Sequence, residues 1–167
     1  QIYKEYATSF LGTQCDLEEA AASDRFLNLN LFVPRFDEKT RPRPETCSEA
    51  QRFFLDIAFR LALIDLTAQL SKSAASFICD TPENSLDISY IENVATMFKT
   101  FAGKGHVILL TTNIQPGGLA KPILRERGVR EKRKSILNLL EYGHLSDVQQ
   151  KNIEKLNDEF KAIITGM

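Results

Sequence analysis

The sequence predicts an α/β fold, and two observations support this prediction. Two short apolar runs, residues 76–80 and 106–112, are typical of buried strands. Between them, residues from about 87 to 102 carry apolar side chains at helical spacing. A strand, a crossover helix and a second strand form a βαβ unit, which we expect to be parallel and right-handed.

A long helix is predicted from Ser48 to about Leu70. Its apolar side chains recur at helical spacing and form a wide stripe that we expect to face the core. The stripe consists of Phe54, Ile57, Ala58, Leu61, Ala62 and Leu66.

A shorter helix and antiparallel strands are expected before this long helix. The segment "IYKEYATSFLG", residues 2–12, is typical of a helix that ends at Gly12. Residues 14–20 and 25–36 are typical of strands, and the second segment alternates with period two. The polar, proline-containing segment 37–46 predicts a loop.

The C-terminal part of the chain is charged and predicts helices over residues 117–164. One helix has an apolar stripe for packing on the rest of the chain or on a partner. This stripe consists of Ile153, Leu156, Phe160 and Ile163. We therefore divide the chain into a lobe, residues 1–116, and a helical C-terminal extension, residues 117–167.

Composition and charge restrict the class of protein. The 167 residues, 43% apolar and 26% charged, suit one globular domain or one lobe of a larger one. The net charge of −1 gives no reason to expect a polyanion partner for the whole chain. No apolar run approaches the ~20 residues of a membrane span, so we expect no membrane partner. The chain begins with Gln1, so we expect a fragment or a processed piece.

The cysteines and histidines do not form a recognisable site. Three cysteines without CxxC spacing are typical of reduced thiols, so we expect a cytoplasmic protein. His106 and His144 are isolated and lack metal-ligand spacing, so we expect both to be structural or exposed.

Ser48 has two interpretations, since it stands at a helix start with Gln51 three residues later. In a capping box, the serine side chain bonds a free backbone N–H and the glutamine reaches back. A serine beside the free N–H groups of a helix N-terminus can also bind an anion. Taken alone, the pattern favours the cap.

Polar residues follow both predicted strands. Asp80 ends the first strand just before Pro82, and Ser85 and Asp87 stand where the next helix begins. Asn113 follows the second strand. Each of these residues alone is typical of a turn or a cap. In open α/β sheets, however, ligands bind at the carboxyl ends of the strands.

The order and spacing of these features resemble the second half of an ABC-type ATPase head, a P-loop NTPase-like fold. "CSEAQ" is similar to the signature motif, "FICD" to the Walker B strand, "NSLD" to the D-loop and "ILLTTN" to the strand before the switch residue. The resemblance covers roughly residues 25–115. It is closer to the DNA-repair and chromosome-maintenance (SMC-like) branch, whose heads are split in sequence by a coiled coil. Similar "DTPExSLD" strings occur in bacterial ATPases, some of them tied to phage defence.

The resemblance implies ATP and Mg²⁺ as cofactors. Ser48 and the backbone of the turn that includes Gln51 would bind the γ-phosphate of ATP held by a second head, so the expected partner is a second copy. Asp80 would hold the water shell of Mg²⁺, a role that suits a hard carboxylate. Ser85 and Asp87 would line the interface between heads, and Asn113 occupies the switch position.

Three departures from the family pattern weigh against rapid hydrolysis more than against ATP binding. Thr81 stands where the family usually has the glutamate that positions water, and it cannot act as a carboxylate base. Asn113 stands where histidine is usual. Glu49 and Ala50 replace the glycines of the signature.

Glu83, two residues after Thr81, is the carboxylate that can replace the usual base. The fixed φ of Pro82 makes a sharp exit from the strand and can turn Glu83 back towards the site. We therefore predict Glu83 and Asp80 as the catalytic residues, with Asp80 as the metal residue. The alternative is that Glu83 is a helix N-terminal carboxylate favoured by the macrodipole.

No G-x-x-x-x-G-K-[ST] string occurs in the chain. The chain alone is therefore not expected to bind ATP tightly. ATP hydrolysis would require an N-terminal Walker A lobe on another segment or chain.

The segment "RERGVREKRK", residues 125–134, has six basic and two acidic side chains. It is either a solvated helical face or a phosphate-contacting patch for nucleic acid. The alternative function for the whole chain is a non-hydrolysing α/β interaction module that binds a protein partner or nucleic acid.

Overall fold

The N-terminal segment begins with helix α1, Ile2–Leu11. It ends at Gly12, whose φ of 70° lies in the left-handed region that glycine adopts readily, as predicted. A computed structural model of the chain describes residues 1–19, 32–36, 39–40, 47–113 and 118–166, with residues 16–19, 32–36, 39–40 and 85 described by backbone alone.

Three strands lie between α1 and the long helix in the described parts of the chain. Strand β1, Asp16–Glu19, pairs antiparallel with β2, Phe32–Phe36, which confirms the expected antiparallel strands. Strand β3, Lys39–Thr40, pairs with the end of β2. The predicted loop 37–46 is therefore wrong for these two residues, because backbone pairing with β2 overrides their polar sequence. The predicted strand residues 25–31 lie outside the described residues.

Helix α2, Glu49–Ser71, is the long helix that the apolar pattern predicts. Five of the six stripe residues are buried, but Leu66 is 45% exposed and Asp65 lies in the core instead. The prediction for Leu66 is wrong because the buried face continues from Leu61 to Asp65, one helical turn later.

The predicted parallel unit is present. Strand β4, Ser76–Cys79, pairs in parallel with β5, Val107–Leu110, and helix α3, Ile91–Gly103, connects them. Helix α3 begins later than predicted, because 3₁₀ turns occupy 82–85 and 88–90. The α/β class is confirmed by this unit, while the hand of the crossover stays a prediction.

The main core lies between α1, α2, α3 and one face of the β4–β5 sheet. The Phe10 and Phe54 rings join α1 to α2 with centroids 5.1 Å apart. Phe77 of β4 packs on Phe98 of α3, with centroids 6.2 Å apart. The opposite face of the sheet is exposed in the described residues, to 72% at Ile78, 57% at Val107 and 61% at Leu109.

The C-terminal extension is helical, as predicted. Its helices are α4, Ala120–Leu124, α5, Val129–Ser135, α6, Asp147–Lys151, and α7, Ile153–Thr165. A small second cluster of buried residues joins α4 to α7 and consists of Ala120, Leu124 and Ile163. Leu119, just before α4, is fully buried in the main core. The division between residues 116 and 117 stays a prediction.

Among the residues described, none of the helices has the length and apolar character that crossing a membrane requires.

Candidate functional site

The ends of β4 and β5 lie side by side because the two strands are parallel. The Thr81 N–H donates to the Thr111 carbonyl oxygen at 3.1 Å and to Thr111 Oγ1 at 2.8 Å. In return, the Thr111 N–H donates to the Cys79 carbonyl oxygen at 3.1 Å. These bonds extend the ladder beyond the strands and bring the residues after each strand into one cluster.

Asp80 is exposed at this edge. Its Oδ1 atom accepts hydrogen bonds from the Thr111 hydroxyl and, at 3.2 Å, from the Thr81 hydroxyl. Both bonds use the same carboxylate oxygen. The structure thus fixes the direction of the carboxylate and leaves it accessible to a hydrated cation.

Thr81 adopts a left-handed backbone conformation, with φ 39° and ψ 56°. For a β-branched residue this is an outlier that costs about 1–3 kcal/mol. The Thr81 carbonyl oxygen accepts the Asn84 N–H at 3.2 Å, so the following turn holds the strained residue from the other side. Such strain is concentrated at functional sites, and here it directs the chain from Asp80 towards Glu83.

Glu83 is buried, with 8% of its surface exposed. Its Oε1 atom accepts hydrogen bonds from the Thr112 hydroxyl and the Asn113 N–H, both at 2.5 Å. Its Oε2 atom is buried and has no hydrogen-bond partner among the described residues. Both donors belong to residues at the end of β5. In the helix-terminal alternative, the carboxylate would instead lie at the N–H groups of a following helix.

Thr112 connects this carboxylate to the extension, since its Oγ1 also accepts the Leu119 N–H at 2.9 Å. Asn113 is exposed, and its side chain donates to Asn84 Oδ1 at 3.4 Å. The cluster therefore joins three segments, the turn after β4, the end of β5 and the start of α4. Thr111 and Thr112 are site residues to which the sequence analysis assigned no role. The available signal was two hydroxyls at the end of the predicted strand 106–112.

Ser48 and Gln51 form a reciprocal capping box. Gln51 N–H donates to Ser48 Oγ at 3.2 Å, and Ser48 N–H donates to Gln51 Oε1 at 3.0 Å. The cap interpretation is thus confirmed, and the phosphate role stays a prediction. Ser48 is exposed, and no hydrogen bond within the described ranges links it to the Asp80 turn.

Asp87 caps the 3₁₀ turn 88–90, since its Oδ1 accepts the Ser89 N–H at 2.8 Å. Hydrogen bonding from the backbone of Ser89 lowers the pKa of this exposed carboxyl below its usual value. The side chain of Ser85 lies outside the described residues. The interface role of both residues stays a prediction.

A buried polar cluster that the sequence did not predict surrounds Asp65, which is 1% exposed. Its carboxylate accepts hydrogen bonds from Tyr6 Oη at 2.9 Å, Lys104 Nζ at 2.8 Å and Gln69 Nε2 at 2.9 Å. Burial alone would raise the pKa of Asp65, but these hydrogen bonds, the one from Lys104 foremost, hold it well below its usual range.

His106 belongs to the same cluster and is structural, as expected. Its Nδ1 accepts the Ala75 N–H at 3.3 Å, so we assign the ring proton to Nε2, which lies 3.4 Å from Asp65 Oδ1. Burial would lower the pKa of Lys104, but its bonds to Asp65 and Glu5 raise it above the usual value. Every polar group here has a partner, which is typical of a structural network.

The basic segment 125–134 is less free than its sequence suggests. Arg125 pairs with Glu92 at 2.5 Å, Arg127 donates to Ser135 at 2.7 Å, and Lys132 is buried. The exposed cations of the segment with no carboxylate partner in the described structure include Arg130, Arg133 and Lys134.

A cavity of about 600 Å³ lies in the C-terminal extension, beside Arg133, Tyr142, Phe160 and Lys161. It is lined by none of the predicted site residues. We assign the candidate site to the strand ends, where the carboxylates and the strained backbone are.

No protein-family model matches this chain, and no curated protein matches it. Within the described ranges, no group of three or more His, Cys, Asp or Glu side chains is placed to hold a metal ion.

Proposed function

We propose that this chain is the C-terminal half of an ATP-binding head that dimerises around ATP and Mg²⁺. In this proposal it supplies a signature motif at Ser48 and a Walker B carboxylate at Asp80. The observation that carries the proposal is the strand-end cluster beside a strained turn. It contains an exposed aspartate and a buried glutamate, one oxygen of which has no hydrogen-bond partner among the described residues. We propose a cytoplasmic ATPase of DNA repair, chromosome maintenance or phage defence.

The carboxylates at the strand ends suit Mg²⁺, which does not need a site made of protein ligands alone. Mg²⁺ keeps several waters and usually takes one or two carboxylates plus substrate phosphates. Asp80 is exposed and oriented by Thr81 and Thr111, as a ligand to hydrated Mg²⁺ requires. When bound, Mg²⁺ would neutralise charge on the phosphates.

Glu83 would orient the attacking water and accept its proton at Oε2. Its other oxygen is fixed by two short hydrogen bonds, so the carboxylate cannot rotate freely. Oε2, buried without a partner in the described part of the chain, is costly to leave unsatisfied, and a water in the complete site would satisfy it. The carboxylate thus replaces the residue that Thr81 cannot supply.

The uncovered face of the β4–β5 sheet supports a second lobe. Parallel sheets are normally covered on both faces. Here α3 covers one face, while Ile78, Val107 and Leu109 present apolar surface on the other. A Walker A lobe, which the chain's lack of a phosphate loop requires, would cover this face.

The proposal is tested in the protein that combines this chain with its Walker A lobe. Asp80→Asn should abolish Mg²⁺-dependent ATP hydrolysis, because the amide cannot balance the charge of the cation. Asp56→Asn is the matched control, since Asp56 is an exposed aspartate of α2 that pairs only with Arg60 in the described structure. Full turnover in the Asp80→Asn protein would contradict the proposal.

The second candidate is a non-hydrolysing interaction module that binds a protein partner or nucleic acid. The exposed cations Arg130, Arg133 and Lys134 favour nucleic acid. This function predicts salt-dependent binding of a DNA duplex and no ATP turnover, even with the Walker A lobe present. Substitution of the three cations by glutamine should abolish that binding.

A further inference from the structure

We infer that Thr112 is the positioning residue for Glu83 and that it links the site to the start of α4. This inference rests on the proposed function, in which Glu83 orients water. Thr112 has no assigned role in the resemblance from which the other site residues were taken.

The hydrogen-bond directions at Thr112 are fixed by its neighbours. The Leu119 N–H can only donate, so it uses a lone pair of Thr112 Oγ1 at 2.9 Å. The single hydroxyl proton can go to Glu83 Oε1 at 2.5 Å or to the Asn113 carbonyl oxygen at 3.5 Å. The much shorter distance to a carboxylate decides for Glu83.

The result is a directed chain of bonds from the Leu119 backbone through the Thr112 hydroxyl to Glu83. The Asn113 N–H donates to the same Oε1 atom from a second direction. Two donors on one oxygen set the plane of the carboxylate, and this determines where Oε2 points. Loss of the hydroxyl would leave one described donor and allow the carboxylate to rotate.

Leu119 makes this arrangement dependent on the extension. It is fully buried in the main core directly before α4. A displacement of this segment would withdraw the Leu119 N–H, which donates to no described acceptor other than Thr112 Oγ1, and would release the hydroxyl. The position of the predicted base is therefore coupled to the packing of α4.

The test uses Thr112→Val, which removes the hydroxyl at constant shape, and Thr112→Ser, which retains it. Thr100→Val is the control, because the Thr100 hydroxyl bonds only the Thr96 carbonyl oxygen in the described structure. NMR of the chain follows the amide protons of Asn113 and Leu119. Turnover in the protein with its Walker A lobe gives kcat and KM.

We expect Thr112→Val to shift the Asn113 amide resonance and to speed Leu119 amide exchange about tenfold, with kcat lowered about tenfold at unchanged KM for ATP. Thr112→Ser, which retains the hydroxyl, should show the amide signals, the Leu119 exchange rate and the kcat of the unmodified protein. Unchanged amide signals in Thr112→Val, or a serine variant as defective as the valine variant, would overturn the inference. If the unmodified protein has no turnover, the proposed function fails, and the amide signals still decide whether Thr112 positions Glu83.

Discussion

The backbone N–H of Asn113 lies 2.5 Å from Oε1 of Glu83, a residue thirty positions earlier in the chain. The residue at the predicted switch position thus holds the predicted base through its backbone, not its side chain. Any residue other than proline could make this bond. An asparagine at this position, where the resemblance would lead one to expect histidine, therefore leaves the support of Glu83 intact.

Glu83→Gln should reduce ATP turnover of the complete head by at least about 10²-fold and should trap an ATP-bound dimer. Glutamine keeps the shape and an Oε1 acceptor for Thr112 and Asn113, but its amide cannot accept the proton of water. Turnover assays and sedimentation with ATP measure both effects.

Thr81→Ala is the matched comparison for that variant. It removes one hydroxyl bond to Asp80, so we expect a loss of less than about tenfold. If the glutamine variant keeps full turnover while the alanine variant loses it, the assignment of Glu83 as the base is wrong.

Ser48→Arg should abolish ATP-driven dimerisation of the complete head while leaving its fold intact. A long cationic side chain at this helix start would block the approach of a phosphate held by a second head. Loss of the cap alone costs about 1 kcal/mol. Sedimentation velocity with and without ATP gives the result.

Ser146→Arg controls for the lost cap. Ser146 begins α6 and forms the same type of capping box with Gln149. This variant should lose a comparable cap and still dimerise. Equal dimerisation by both arginine variants would mean that Ser48 is only a cap.

The helices and the parallel unit could be predicted because their patterns are local. The apolar spacing after Ser48 defines α2, and two apolar runs separated by a helical segment define β4 and β5. Gly12 marks the end of α1 by its own conformational preference. These features require only the residues within each element.

The contacts of the site could not be predicted because they join distant residues. Nothing near Glu83 in sequence shows that Thr112 and Asn113 bind its carboxylate. Asp65 was missed for a related reason. A carboxylate on a buried helix face becomes favourable only with Lys104 and Tyr6, which other helical segments supply.

Ile78→Asp tests whether the exposed sheet face is covered in the complete protein. The melting temperature of the chain alone should change by less than about 2 °C, since Ile78 is largely exposed there. With the Walker A lobe present, an unpaired buried carboxylate should cost about 3 kcal/mol or weaken the association of the two parts.

Val148→Asp is the control for this substitution. Val148 of α6 is 71% exposed, close to the 72% of Ile78, and lies far from the sheet in sequence. Thermal unfolding of both variants, with and without the lobe, is the measurement. If Ile78→Asp behaves like Val148→Asp in the complete protein, no lobe covers the sheet.

The ionised carboxylate of Asp65 should control part of the stability of the fold in acid. Because the folded-state pKa of Asp65 is lowered, its ionised form stabilises the fold above the unfolded-state pKa of about 4. That stability should be lost as the pH falls from about 4 towards the lower folded-state pKa.

Asp65→Asn should lower the free energy of unfolding by about 3 kcal/mol at neutral pH and should flatten this part of the pH profile. Urea unfolding from pH 7 to pH 2 measures both effects. The control is Asp56→Asn, which removes one partner of an exposed ion pair and should change the free energy of unfolding by less than about 1 kcal/mol. An unchanged acid profile in Asp65→Asn would mean that another carboxylate controls acid unfolding.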